Sequence, residues 1–235
     1  MHEYYSEYGQ EKRFRFSVTY SGGEVAATES LIDYLKQMFD DDIRSIVPQI
    51  AMSGGTMIAC ACKEIIMGKQ SNLGPIDPQL GGMSAEAVLY EFEQAANEIK
   101  ENPSKIPLWQ IIINKYSPTL INECQNAIAW SAEILENSLQ TNMFKDSENS
   151  NEVINKIVNE LSSHGKTKSH SRHISMTKCR DIGLNIIELE DDQDLQDTVL
   201  NLHHISIISF LKTTAVKLIE NSDGKSFTQN AIPKK

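Results

Sequence analysis

A chain of 235 residues, 40% apolar and 23% charged, is long and apolar enough to bury a core, which sets it apart from disordered chains. Its net charge of −10 opposes phosphate binding, so nucleic acid is not an expected partner. No run approaches the roughly 20 apolar residues needed to cross a bilayer, and the polar, aromatic N-terminus lacks the apolar stretch of a secretory leader, so a cytoplasmic location is expected.

Residues 1–12 read as an N-terminal arm, and 13–220 as one domain. Residues 14–20 alternate aromatic or β-branched side chains with others, as a strand does, and run into Ser21-Gly22-Gly23. Residues 24–39 place Val25, Thr28, Leu31, Ile32, Leu35 and Met38 on one helical face. A β-type run at 43–47 stops at Pro48. After it come a tight turn at Ser53-Gly54-Gly55, a small apolar helix to about Cys62 and a strand at 64–67. Repeated strand, turn and helix predicts a parallel α/β unit whose ligand-bearing turns gather at one sheet edge.

Residues 72–83 are rich in Gly and Pro, which set extended backbone and turns. Residues 84–161 read as helices, broken at Asn102-Pro103, at Ser117-Pro118 and in the polar stretch 145–151. A loop at 166–173, a short helix at 177–181, a strand at 184–189 and an amphipathic helix at 194–220 follow. The tail, 221–235, is expected to be disordered. Cys60, Cys62, Cys124 and Cys179 lack zinc-ligand spacing and read as buried reduced thiols, and no metal or cofactor is implied. His203-His204 reads as part of a helix surface.

A serine that attacks carbonyls needs exposure on a strained turn, a base for its proton, and backbone amides aimed at the developing oxyanion. Ser53 meets the first requirement, because Pro48 ends a strand and Gly54-Gly55 permits a sharp start to the next helix. Gly54 N–H would then face the attacked carbonyl, although the G-x-S-x-G pattern of a nucleophile elbow is absent. Gly22-Gly23, between a strand and a helix, offers the second half of an oxyanion hole. The plainer readings are Ser53 as a helix N-cap and Gly22-Gly23 as a simple turn.

Three segments together carry a resemblance. They are Ser21-Gly22-Gly23, Ala51-Met52-Ser53-Gly54-Gly55-Thr56-Met57-Ile58-Ala59, and Ser71-Asn72-Leu73-Gly74-Pro75-Ile76-Asp77-Pro78-Gln79. In them the chain resembles the serine dehydrogenase (dehydratase) proteinase family, a relative of signal peptide peptidase A (peptidase family S49) and Clp protease within the Clp/crotonase fold. The resemblance implies an α/β fold with a Clp/crotonase-like β-spiral core and a helical extension, shortened at its N-terminus relative to the family. It also implies serine endopeptidase activity on peptide or protein substrates through an acyl-enzyme on Ser53, and assembly into a homotrimer or larger ring. The family pattern Thr-Pro-Gly-Gly stands here as Tyr20-Ser21-Gly22-Gly23.

Clp protease has its histidine where this chain carries Asp77, and its aspartate in the downstream region where this chain carries His170 and His173. The two roles are thus expected to have exchanged positions, giving a triad of Ser53, His170 and Asp77, with His173 as second choice of base. A Ser-Lys dyad like that of signal peptide peptidase A competes, with Lys105 or Lys115 as a desolvated base. Asp77, between prolines, also reads as a turn-ordering residue. Two other functions stay open: a catalytically impaired scaffold or subunit of a mixed ring, and crotonase-like acyl-CoA chemistry, which needs only the paired amides.

Overall fold

The architecture follows from short apolar strands that turn between two sheets. A computed structural model of the chain describes residues 14–17, 24–162 and 172–231. Strands β1 (Phe14–Ser17), β2 (Ile43–Val47), β4 (Glu64–Met67) and β9 (Ile186–Glu188) form a parallel sheet in the order β1-β2-β4-β9. Short strands β3 (Ile50–Ala51), β5 (Asn72–Leu73) and β8 (Ile174–Ser175) form a second sheet in that order. In it β3 and β5 run parallel, while β8 is antiparallel to β5. The chain therefore passes twice in succession from a first-sheet strand to a second-sheet strand, β2 to β3 and β4 to β5, with helix α2 (Gly54–Cys60) between the two passes.

Alternation along the strands decides which face each residue serves. Val47, Ile65 and Met67 join the main core with Ile32 and Leu35 of α1 (Val25–Phe39), all of α2 from Met57 to Cys60, and Ile154, Ile157 and Leu161 of the later helix 151–162. Ile46 and Ile66, which are register partners, face the other way onto Leu189 and Val199. Strands buried on both faces read as continuous apolar runs, as these do.

The helical region is α3 (Ala85–Glu101), α4 (Ile106–Ile113), α5 (Leu120–Ser138) and α6 (Asn151–Ser162). Asn102 caps the turn that follows α3 by accepting from the Ser104 N–H at 3.1 Å, so the Asn-Pro break ends the helix as expected. A π-helical turn, Leu139–Met143, continues α5. It turns Asn142 inward to donate to Ala61 O at 2.9 Å, satisfying the end of α2. The last elements are α7 (Met176–Ile182), α8 (Gln193–Lys212) and a hairpin of β10 (Ala215–Glu220) and β11 (Ser226–Asn230), while Gln79–Leu80 and Met83–Ser84 form a smaller hairpin, β6 and β7.

Three expectations are corrected. On α1 only Thr28, Ile32 and Leu35 are buried, while Leu31 and Met38 are exposed, because the neighbouring elements meet a narrower stripe than the sequence offers. The helix expected over 194–220 stops at Lys212, where Thr213 and Thr214 begin a β-branched, alternating stretch that pairs as β10. Residues 221–231, expected in a disordered tail, instead make the turn and second strand of that hairpin. Gly224 sits there at φ 73°, a conformation open to glycine at no steric cost. Among the described residues no helix is long and apolar enough to cross a membrane.

Candidate active site

Ser53 stands between β3 and α2 with φ 47° and ψ −112°. A helix-capping serine takes extended backbone and accepts a bond from the first turn. Ser53 does neither: its φ is positive and its side chain makes no cap bond. Such a conformation costs a non-glycine residue about 1–3 kcal/mol and persists only where its surroundings enforce it. Three observations identify what enforces it.

The first is the turn itself, where Gly55 N–H donates to Met52 O at 2.7 Å and Met57 N–H to Ser53 O at 3.0 Å. The Gly54 N–H finds no backbone acceptor among the described residues, which leaves a donor beside the partly exposed serine. The second is Thr56, fully buried, whose hydroxyl lies 2.9 Å from Ala51 O and 2.8 Å from Gly74 O and shares its proton between them. Gly74 N–H in turn donates to Ala51 O at 2.8 Å. One hydroxyl therefore ties α2 to the ends of both β3 and β5.

The third is Gly74. A Cβ there would stand 2.5 Å from Met52 Cε and 3.3 Å from Met52 Cα, so glycine at this position lets the side chain of the residue before the serine lie over the end of β5. Thr56 and Gly74 were not singled out in the sequence as site residues. The signal available in the sequence is a β-branched hydroxyl residue just after the Gly-Gly pair.

Asp77 follows directly along this segment and is 5% exposed. The Cys124 thiol is pushed up by burial first and then by the charges of Glu123 and Asp77, which places the carboxylate toward α5. Ile76 N–H donates to Leu161 O at 2.8 Å. That bond stitches the last turn of α6 beside Asp77. On the other side of residues 163–171, Ile174 pairs with Leu73, whose other neighbour is Ala51. Both flanks of that segment are thus anchored next to the Ser53 and Asp77 backbone. His170, Gly22 and Gly23 lie outside the described residues.

His173 is exposed and lines a small pocket with Glu160, Arg172, Ile174, Lys178 and Ile182, a set that does not include Ser53. Lys105 is held in an ion pair with Glu98 at 3.2 Å, with its side chain 43% exposed. Trp109 Nε1 donates to the same carboxylate at 3.0 Å. Hydrogen bonds from Gln94 first, then from Lys105 and Trp109, hold the Glu98 carboxyl below its usual range. That setting supplies a charged partner rather than the desolvation a lysine base requires. Lys115 is exposed. His203, expected on a helix surface, lies 3.1 Å from Gln49 Oε1 at the base of the elbow.

Cys60, Cys62, Cys124 and Cys179 are free and buried. Burial above all pushes the Cys62 and Cys179 thiols up to about 12, so neither serves as a nucleophile near neutrality. No group of three or more His, Cys, Asp or Glu side chains is arranged for a metal among the described residues.

The chain is 30% identical over 167 residues to the uncharacterized protein MJ0137 of Methanocaldococcus jannaschii, a match covering 70% of this chain and 50% of that protein. It is 36% identical over 80 residues to the uncharacterized protein MJ1495 of the same organism, covering 34% of this chain and 27% of that one. The chain spans about half the length, or less, of these curated relatives. No solved structure matches it. Residues 10–202 match the family described as ClpP-like SDH-type serine proteinase, a span holding the elbow, Asp77 and both flanks of 163–171. A strained serine turn and a family match over most of the chain agree: the chain belongs to the ClpP-like SDH-type serine proteinases.

Proposed function

We propose that this chain is a serine peptidase that hydrolyses peptide bonds through an acyl-enzyme on Ser53. The observation that carries the reading is the Ser53 backbone, strained at φ 47° with a hydroxyl unused for capping, beside the available amide of Gly54. In the proposed reaction a base takes the hydroxyl proton and Oγ attacks the substrate carbonyl. Gly54 N–H, with Gly22 or Gly23 N–H, holds the oxyanion, and the leaving amine departs with the proton. Water then enters and the same base activates it, releasing the acid and restoring Ser53. His170 is the proposed base and Asp77 its orienting carboxylate. Support comes from the two anchors that bring residues 161 and 174 beside Ile76 and Leu73. The successive passes between the two sheets support a β-spiral core.

A fluorophosphonate probe tests this. Labelling of the full chain that disappears in Ser53→Ala and falls in His170→Ala is the expected result. Labelling that persists in Lys105→Ala supports the histidine over the lysine. A folded wild-type protein that takes no label, or that keeps its label in Ser53→Ala, overturns the reading.

A further inference from the structure

Beyond residue 202, where the family match ends, α8 continues to Lys212 and leads into the β10–β11 hairpin. This part leaves most of its large apolar side chains in solvent. Ile205, Ile208 and Leu211 recur at three-residue spacing along α8, exposed by 62%, 56% and 77%. On the hairpin Ile219 and Phe227 stand directly opposite each other, 40% and 58% exposed, and Val216 is 59% exposed. The main contacts of the hairpin are within itself and with the end of α8. An isolated two-stranded hairpin is marginal in water, and both of its edges are open to further pairing.

We propose that residues 203–231 form a self-association arm, and that its occupant is the same arm of a second copy of this chain. Two observations choose that occupant. Area is the first: these side chains expose on the order of 600 Å² of apolar surface, the upper end of what the largest apolar patch of a monomer reaches. A standard interface covers about 800 Å² per partner, somewhat over half of it apolar, so a pair of such arms meets the requirement without further surface. Charge is the second. The arm sets Lys212, Lys217 and Lys225 against Glu220 and Asp223 in a chain of net charge −10, so two copies meet there without the repulsion that their overall charge otherwise imposes. A twofold, arm-to-arm contact is closed, and it covers both apolar surfaces at once.

This inference is independent of the peptidase reading. Sedimentation of the full chain tests it: wild type sediments at an even multiple of the chain mass, and Leu211→Glu combined with Phe227→Glu halves that mass while the circular dichroism stays unchanged. The matching pair Leu108→Glu and Ile111→Glu, on the exposed face of α4, leaves the mass as it was. In a separate variant, Ile208→Cys, mild oxidation yields a covalent dimer, to which the four buried native thiols do not contribute. A monomeric wild type, a double arm variant that keeps the wild-type mass, or the absence of a cross-link through position 208 overturns the proposal. The cross-link decides should the charged variant fail to fold.

Discussion

Replacing Thr56 by valine keeps the shape of the side chain and removes only the hydroxyl that joins α2 to the ends of β3 and β5. The two carbonyls it serves are affected unequally. Ala51 O still receives Gly74 N–H at 2.8 Å, whereas Gly74 O has no other donor among the described residues. One buried carbonyl is therefore left bare, at a cost of about 1–3 kcal/mol. Taking about 2 kcal/mol, a chain of this size melts about 4–8 °C lower. Thr56→Ser keeps the hydroxyl and loses one methyl group, worth about 1 kcal/mol, so the expected order is wild type, then serine, then valine. Calorimetry measures that order. Fluorophosphonate labelling of Ser53 supplies a second readout: with its enforcing bond gone the elbow relaxes, and labelling slows by about tenfold in the valine variant, since small misplacements of reacting groups carry large rate costs. A valine variant that melts as high as wild type, or a serine variant that is the worse of the two, refutes the reasoning.

The strain at Ser53 predicts that Ser53→Gly is more stable than Ser53→Ala by about 1 kcal/mol, because only glycine takes φ 47° freely; denaturant titration of the two unlabelled variants reads the difference, and an alanine variant at least as stable contradicts it. Gly74→Ala should push Met52 away and slow labelling of Ser53, and adding Met52→Ala should restore most of the rate, since the nearest clash is with the end of the methionine side chain. A double variant no faster than Gly74→Ala would place the fault elsewhere. Burial first, then the charge of His204, holds His203 below its ordinary value of 6.5. The folded state thus binds this proton less readily than the unfolded chain, so the contribution of His203 to stability is complete above 6.5 and is lost as pH falls toward the folded value. Urea midpoints measured on acidification from neutrality should drop more for wild type than for His203→Gln, and equal slopes would remove the histidine from the account.

The strands at 43–47 and 64–67, the helices between residues 84 and 161 and the turn at Ser53 were legible because each is written locally, in apolar runs, in Asn-Pro and Ser-Pro breaks and in a Gly-Gly pair. Misreadings came where two patterns overlap. Residues 213–220 continue the apolar spacing of α8 closely enough to pass for helix, yet Thr213-Thr214 and the Asp223-Gly224 turn make a hairpin of them. On α1 the apolar stripe is wider than its contacts, and nothing within the helix says that Leu31 and Met38 stay outside.

What the chain determines by itself is conformational: where glycine and proline let the backbone turn sharply, and hence that a serine sits on such a turn between strand and helix. Tertiary structure decided how that turn is held. The Thr56 hydroxyl reaches Gly74, 18 residues away, and Ile76 reaches Leu161 only because β3 and β5 lie side by side and α6 ends against them. Hydrogen bonds between distant segments depend on which carbonyls face each other once the sheets are assembled, and no local pattern encodes that facing.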